Sequence, residues 1–452
     1  MDIDKPIEEC GIFAILGHQN SSYVTALGLH NLQHRGQEAT GITVDFGGQA
    51  ITKKNFGKVL NVFNLDNIST ELPGQSAIGH TRYSTSSKHN LSNIQPLAGY
   101  LSHSNRWYAI AHNGQIQYDD TTGQKSDSHK IIELMNNKSS IEDAFLYAVE
   151  NITGAYSLIC LSNNKLLAAR DPIGIRPLVL GILDNRPILC SETCALDAVG
   201  AKFIREIKNG EIISIEINNG EPQISTLKPP SKTPPKICIF EYIYFSSPHS
   251  YLGNQSVYLA RKNMGKIIAT EAPTLADIVV PVPNTGNAAA LGYSEVSNIP
   301  LKHAIHLNND ARSFIHPNVQ KREDLVKAKH SIIEGSVKGK DIILVDDSMV
   351  RGTTINHIIS MLRDHEVNKI HLRIASPEIK YPDYYGIDIK SQNELISFKY
   401  PNLEDLANFI NCDSVAFLSI NGIYNAILGT DRNDANPQFT DHYFTGEYPI
   451  IY

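Results

Sequence analysis

The chain has no run of about 18 consecutive apolar residues, the length a membrane-spanning helix requires, so no transmembrane segment is expected. Its first ten residues, Met1 to Cys10, are acidic and lack the apolar stretch of a secretion signal. A cytoplasmic protein is expected. Paired cysteines are missing too. Six cysteines occur, at 10, 160, 190, 194, 238 and 412, without Cys-x-x-Cys spacing. Cys190 and Cys194 have no second pair to complete a metal site, and Cys160 and Cys190 lie in apolar runs and read as small buried hydrophobes. Excess positive charge is absent: the formal net charge of −7 argues against a large nucleic-acid surface, while leaving room for a local basic site for an anionic substrate. Internal repeats and low-complexity tracts are absent as well. What is present is 42% apolar and 19% charged residues, the balance of a soluble globular enzyme. At 452 residues the chain exceeds one ordinary core, and two domains of about 200 residues are expected.

The clearest boundary is residues 227–236, where four prolines among polar residues cannot continue a helix or a central strand. Before it, short β-like runs dominate, at 11–16, 41–46, 108–112, 155–162, 165–170, 178–183 and 211–217, interrupted by helix-like runs at 24–32, 128–135 and 140–149. Sheets covered by helices are the expected result. After it, strand and helix alternate: strands at 237–245, 277–282, 341–345 and 369–375, with helices ending at 270 and starting at 287 and 354. That alternation predicts a doubly wound parallel sheet.

The most informative stretch runs from Ile342 to Thr354. Four apolar residues read as a buried parallel strand. Asp346 and Asp347 stand at its carboxyl end, the place where open α/β sheets bind ligands, and Ser348, Met349, Val350, Arg351, Gly352, Thr353 and Thr354 form a loop opening a helix. Free backbone N–H groups and hydroxyls there can cradle a phosphate. The run resembles the 5-phosphoribosyl-1-pyrophosphate (PRPP) motif of type I phosphoribosyltransferases. The resemblance implies that Asp346 and Asp347 bind ribose hydroxyls and Mg²⁺, that Ser348, Arg351, Gly352, Thr353 and Thr354 hold the 5-phosphate, and that Thr285, in Pro283-Asn284-Thr285-Gly286, sits in a pyrophosphate loop near the metal.

In the first half, Cys10-Gly11-Ile12-Phe13 by itself reads as a buried strand cysteine. It is accompanied, in order, by Gln33-His34-Arg35-Gly36-Gln37-Glu38, Gly79-His80-Thr81-Arg82-Tyr83-Ser84-Thr85, His112-Asn113-Gly114, Ser126-Asp127, Arg170-Asp171-Pro172-Ile173-Gly174-Ile175-Arg176-Pro177 and Ser191-Glu192-Thr193-Cys194. Together these resemble the N-terminal-nucleophile (αββα) glutaminase domain of the glutamine PRPP amidotransferases, and the resemblance extends through both halves. It implies a propeptide at 1–9, a glutaminase domain at 10–230 and a phosphoribosyltransferase domain at 237–452.

A cysteine at a free N-terminus can use its own α-amino group, whose pKa of about 7.7–8.0 lies near working pH, as the base. With residues 1–9 attached, Cys10 carries only an amide nitrogen there. By resemblance, the Asn113 side chain and Gly114 N–H form the oxyanion hole, Arg82 pairs with the α-carboxylate of glutamine and Asp127 with its α-ammonium. His34, Arg35 and His80 receive no chemistry. The implied reaction moves ammonia from glutamine to C1 of PRPP with loss of pyrophosphate, giving 5-phosphoribosylamine for purine synthesis, with feedback by purine nucleotides and a homotetrameric assembly.

Three segments depart from the family pattern. Asn and Asp stand before Arg312, Ser313, Phe314 and Ile315 where Arg and Tyr are expected; Phe245 to Ser250 lacks the usual Arg and Asp; and the stretch from Gly114 to Asp127 is short. The altered loop leaves open another phosphosugar as acceptor. Some members hold a [4Fe–4S] cluster with four cysteines, but here only Cys238 matches, Asp383 stands at the second position and 436–443 has none. No iron–sulfur cluster is expected. The active protein should therefore give an intact mass lacking Met1 to Glu9 and no absorbance band near about 400 nm from a cluster; a retained leader in active protein would refute the processing step.

Overall fold

A computed structural model describes residues 10–83, 90–118, 125–136, 138–308 and 330–450. The leader at 1–9, Ser84, Thr85 and the loop residues Arg312, Ser313, Phe314 and Ile315 lie outside the described residues.

Period-two side-chain alternation explains the first half. All five residues of the strand Gly11–Ile15 are buried, because Ile12 and Ala14 point into one core while Phe13 and Ile15 point into another. A strand buried on both faces has a layer on each side. On one side, the helix Ser21–Asn31 lays Ala26 and Leu29 against Phe13 and Ile15. On the other lies a second sheet, whose Ala109, Ala111, Ile159 and Leu161 meet Ile12, Ala14 and Ile78.

The first sheet runs, edge to edge, Lys202–Glu206, Val179–Leu183, Arg186–Cys190, Gly11–Ile15, Ser76–Arg82, Ala39–Phe46, Gln49–Phe56. The second runs Glu221–Lys228, Ile212–Asn218, Lys165–Arg170, Gly154–Ser162, Trp107–Ile116, Leu97–Tyr100. Its outer face is covered by the helices Ser128–Met135 and Ile141–Glu150, which bring Ile131, Met135 and Phe145 to Tyr108, Leu158 and Cys160. The layers are thus helix, sheet, sheet, helix, the N-terminal-nucleophile architecture.

A polar tie crosses the two sheets. Buried His80 sets its Nε2 3.2 Å from the carbonyl oxygen of His112, and its Nδ1 has no hydrogen-bond partner among the described residues. Burial, with the nearby Arg82 charge, holds this imidazole at about 3, so it stays neutral.

In the second half the parallel strands Ile278–Pro281, Asp341–Asp346, Lys369–Ile374 and Ser414–Phe417 lie side by side in that order. Alternation again assigns faces. Val279, Ile343 and Val345 pack with Met264, Ile268 and Ala289 of the helices Val257–Glu271 and Asn287–Ser297, whereas Val280, Ile342 and Leu344 pack with Ile355, Ile358 and Leu362 of the helix Thr353–Asp364. Helices on both faces make this the doubly wound sheet of the phosphoribosyltransferase type.

The expected strand at 237–245 is not one. Cys238 makes only an isolated bridge to Thr440, and Glu241–Phe245 form a π-helical turn. A short run that is apolar except for Glu241 has too little alternation to separate a strand from a buried helical turn. Here its side chains enter the second-half core.

The helices Val257–Glu271 and Asn287–Ser297 touch backbone to backbone. A Cβ on Gly265 would stand 1.8 Å from the carbonyl oxygen of Ala289, and one on Gly292 would stand 1.9 Å from that of Lys262. Gly265→Ala should therefore force the helices apart at a cost of about 1–3 kcal/mol, read as a lowered urea midpoint. The neutral native His80 predicts a pH effect. Below its unfolded value of about 6.5 the unfolded chain takes up a proton that the native chain refuses down to about 3. Stability is therefore lost as pH falls through that window, by at most about 1.4 kcal/mol per pH unit. Urea titrations from pH 7 to 4.5 on wild type and His80→Gln should show the smaller slope in the variant.

Candidate active sites

The nucleophile candidate stands where the first sheet's central strands end. Antiparallel register pairs Gly11 with Thr81 and Ile12 with His80, so Cys10 and Arg82 occupy the next step of the same two strands. Gly11 N–H donates to Thr81 Oγ1 at 3.2 Å, fixing this end. Cys10 is half-buried and not in a disulfide. Arg82, the last residue of its strand, is buried.

The second sheet supplies the other members. The strand expected at 108–112 extends over Trp107–Ile116 and carries Asn113 and Gly114 within it. Asn113 is fully buried, and neither its Oδ1 nor its Nδ2 has a hydrogen-bond partner among the described residues. A buried amide in that state is costly unless a ligand engages it. Gly114 has φ of 138°, and a Cβ there would lie 2.0 Å from the Ala155 carbonyl oxygen, so only glycine fits. Asp127 caps the helix Ser128–Met135; its carboxylate accepts from Ser128 N at 2.8 Å and from Ile116 N at 3.0 Å, which ties it to the end of the strand bearing Asn113. The His80–His112 contact ties the strand that ends at Arg82 to the strand that carries Asn113 and Gly114.

In the second half, Asp346 ends its strand, and Asp347 and Ser348 follow, all three buried. Asp347 N–H donates to Asp346 Oδ1 at 2.8 Å and Ser348 Oγ to Asp347 Oδ1 at 2.6 Å, so the turn is preorganised. Gly352 precedes the helix Thr353–Asp364, whose first two residues are the exposed Thr353 and the buried Thr354. Arg351 is directed to Glu394, at 2.5 Å, and to the Asp388 carbonyl, at 2.9 Å. Thr285 and Asp347 line one small cavity together with Ile243 and Arg261. Val282 N–H bonds the Val345 carbonyl at 2.9 Å, which brings the 283–286 loop to the strand end.

Sequence reading passed over the charges between the halves. Arg35 is completely buried and donates to Glu192 Oε1 at 2.6 Å and to both oxygens of Glu241, at 2.8 and 3.1 Å; its Nε reaches the Cys10 carbonyl at 3.4 Å. Burial works against its charge, but Glu241 and Glu192 outweigh it and hold its pKa above the ordinary value. Burial likewise opposes the Glu192 charge, and His34 and Arg35 overcome it, keeping the carboxylate well below its usual range. Glu192 also accepts from Ser247 N at 2.8 Å and Ser250 Oγ at 2.6 Å of the second half. His34, Glu192 and Cys194 lie close enough to suggest a metal site, but Arg35 already claims the carboxylate, and its positive charge opposes a cation there. The one available signal was Glu241 itself, an acid inside an apolar run, which must find a partner when buried.

The donor set at the cluster positions does not fit four thiolates. The Cys238 thiol, pushed up to about 11 by burial, lies 3.2 Å from the Tyr443 hydroxyl. Asp383 takes His442 Nε2 at 2.9 Å and the Tyr385 and Ile387 amides at 2.9 and 2.6 Å. Cys160, Cys190 and Cys412 lie in three other cores.

Comparison with known proteins agrees with this geometry. Residues 80–198 match a glutamine amidotransferase domain family. An amidophosphoribosyltransferase of Rhizobium etli is 46% identical over 99% of this chain and 93% of its own length, and one of Bacillus subtilis is 36% identical over 98% and 94%. The solved structure of the B. subtilis glutamine PRPP amidotransferase in complex with ADP and GMP superposes with a TM-score of 0.86 at 35% identity, covering 97% of both chains. With likeness running the length of both halves, the chain belongs to the amidophosphoribosyltransferase family.

Proposed function

We propose that the chain carries out its family's reaction with the residues just placed. The chain is a glutamine-dependent amidophosphoribosyltransferase, which forms 5-phosphoribosylamine, glutamate and pyrophosphate from PRPP, glutamine and water at the start of purine synthesis. The observation that carries the residue assignment is Asn113, whose fully buried amide has both polar atoms without a partner on the strand next to the nucleophile's sheet. An oxyanion forming there would supply the missing acceptor for Nδ2, joined by the Gly114 N–H.

Removal of residues 1–9 frees the Cys10 α-amino group to take the thiol proton; the thiolate adds to the glutamine amide carbon, the C–N bond breaks as the α-ammonium returns that proton to the leaving ammonia, and water then hydrolyses the thioester to glutamate and restores the thiol. Arg82 holds the α-carboxylate and Asp127 the α-ammonium, selecting the free amino acid. Ammonia is mostly protonated in water at neutral pH, so direct passage between the halves keeps it nucleophilic. At the second site, Ser348, Gly352, Thr353 and Thr354 hold the 5-phosphate at the helix start, with Arg351 at the rim. Asp346 and Asp347 hold the ribose hydroxyls, and their carboxylates with Thr285 offer the hard oxygen donors that suit Mg²⁺. When bound, Mg²⁺ neutralises charge on the pyrophosphate leaving group. Ammonia adds to C1 as the C1–O bond to pyrophosphate breaks.

The B. subtilis relative's complex with ADP and GMP supports inhibition by purine nucleotides here, and family likeness supports a homotetramer. The helices of the described residues include none long and apolar enough to cross a membrane.

Purified protein given glutamine, Mg²⁺ and PRPP should release glutamate and pyrophosphate in equal amounts. Cys10→Ala should abolish both, and Asn113→Ala should lower kcat on the order of 10²–10³-fold. Glutamate release without pyrophosphate would show that the acceptor is another phosphosugar.

A further inference from the structure

Gln95 joins the two sheets of the first half next to the strand position of Asn113. Its backbone is held by the first sheet. A Cβ on Gly41, in the strand Ala39–Phe46, would lie 2.3 Å from the Gln95 carbonyl oxygen, so strand and residue are in close contact. Lys54, in the neighbouring strand Gln49–Phe56, donates to the carbonyl oxygens on either side of Gln95, Ile94 at 2.6 Å and Pro96 at 3.4 Å. The Gln95 side chain grips the second sheet. There the strand Trp107–Ile116 is paired on its outer edge by Leu97–Tyr100 only as far as Ile110. Beyond that register the Gln95 amide takes the place of a strand: its Oε1 accepts from His112 N at 2.7 Å, and its Nε2 donates to the His112 carbonyl at 3.3 Å. The same Nε2 donates to Ser128 Oγ at 3.2 Å, and that hydroxyl lies 3.0 Å from His112 Nδ1 and 3.4 Å from Asp127 Oδ1. Gln95, His112 and Ser128 are all buried.

We propose that Gln95 is a positioning residue for the oxyanion hole, and that through Ser128 it fixes the distance from Asn113 and Gly114 to Asp127, which makes the site selective for glutamine over its shorter homologue asparagine. The inference rests on the reading above, in which Asn113 and Gly114 receive the oxyanion and Asp127 the α-ammonium. His112 precedes Asn113 directly, so a hold on both its N–H and its carbonyl sets where the Asn113 side chain and the Gly114 N–H stand. Ser128 follows Asp127 directly, so the same amide sets the other end of the frame. Gly41 pairs with His80 in the strand that ends at Arg82, which refers the frame to the sheet bearing Cys10 and Arg82. Glutamine has two methylenes between its α carbon and its amide, and asparagine has one. In a frame of fixed length, an asparagine seated at Asp127 leaves its amide carbonyl short of the oxyanion donors. A misplacement of a reacting group on the order of 1 Å can change a rate by 10². Arg82 and Asp127 engage the ground state and the transition state alike, whereas the oxyanion contacts mature only in the transition state, so loss of Gln95 shows in kcat and not in KM.

The test uses the processed, full-length protein and the variants Gln95→Met, which fills the space without the amide, and Ser128→Ala. With PRPP and Mg²⁺ present, the rates measured are glutamate formation from glutamine, aspartate formation from asparagine, and pyrophosphate release driven by ammonium chloride, which bypasses Cys10. Both variants are expected to retain the ammonium-driven reaction and the KM for glutamine, to lose on the order of 10-fold in kcat for glutamate formation, and to narrow the glutamine-to-asparagine ratio of kcat/KM by a similar factor. Ser128→Ala, which removes one hydroxyl and no charge, decides the question where Gln95→Met does not fold. Parental kcat or an unchanged ratio in the folded variants would overturn the inference. So would a fall in ammonium-driven release in step with glutamate formation, since that marks a general loss of structure. A wild type that releases no glutamate would instead overturn the glutaminase reading itself.

Discussion

The interaction on which the arrangement of the two halves depends is the burial of one guanidinium, Arg35, between the carboxylates of Glu192 and Glu241. A carboxylate taken out of water without a partner is expensive. Breaking a buried pair costs far more than an exposed pair is worth, because a naked charge remains. Glu192, His34 and Arg35 come from the glutaminase half and Glu241 from the transferase half, so the Glu241 carboxylate finds the buried guanidinium only when the halves meet as they do. The Ser247 amide and the Ser250 hydroxyl complete Glu192 from the same side. A contact of this kind contributes specificity of docking more than net stability, since each charge restricts where the other can go.

That docking also explains the fate of the altered segment from Phe245 to Ser250. The segment lacks the family's usual Arg and Asp, yet it engages the glutaminase half through the Ser247 backbone amide and the Ser250 hydroxyl. Backbone contacts survive side-chain substitution, and the interface is kept where the motif is not. The same holds at the cluster positions. There, a single thiol pairs with the Tyr443 phenol and the Asp383 carboxylate pairs with the His442 imidazole, beside the core that holds Tyr385 and Tyr443.

The residues proposed for both chemistries are held by strands of packed sheets. Cys10 and Arg82 are held by the register of two central strands, Asn113 and Gly114 by a strand of the facing sheet, and Asp346 and Asp347 by the carboxyl end of a parallel strand. Covered on both faces, these strands have little freedom, which is what preorganised donors require. The turn Glu241–Phe245 is the exception, an irregular segment between two well-packed bodies, and it carries the residue that spans them.

Local chemistry was legible in the sequence wherever it depended on neighbours along the chain. The run from Ile342 to Thr354 fixes a strand, a pair of acids and a helix start, because alternation, the strand-end acids and the hydroxyl-rich loop are all short-range. Period two likewise placed most strands of the first half. The strand reading of 237–245 failed for the same reason, since a run whose one polar residue is Glu241 carries no usable period. What tertiary structure alone decided was the meeting of residues far apart: His80 with His112 across two sheets, and Arg35 with Glu192 and Glu241, 157 and 206 positions away. A charge in a sequence shows only that it must be solvated or paired. Which partner it takes is settled when packing removes the water.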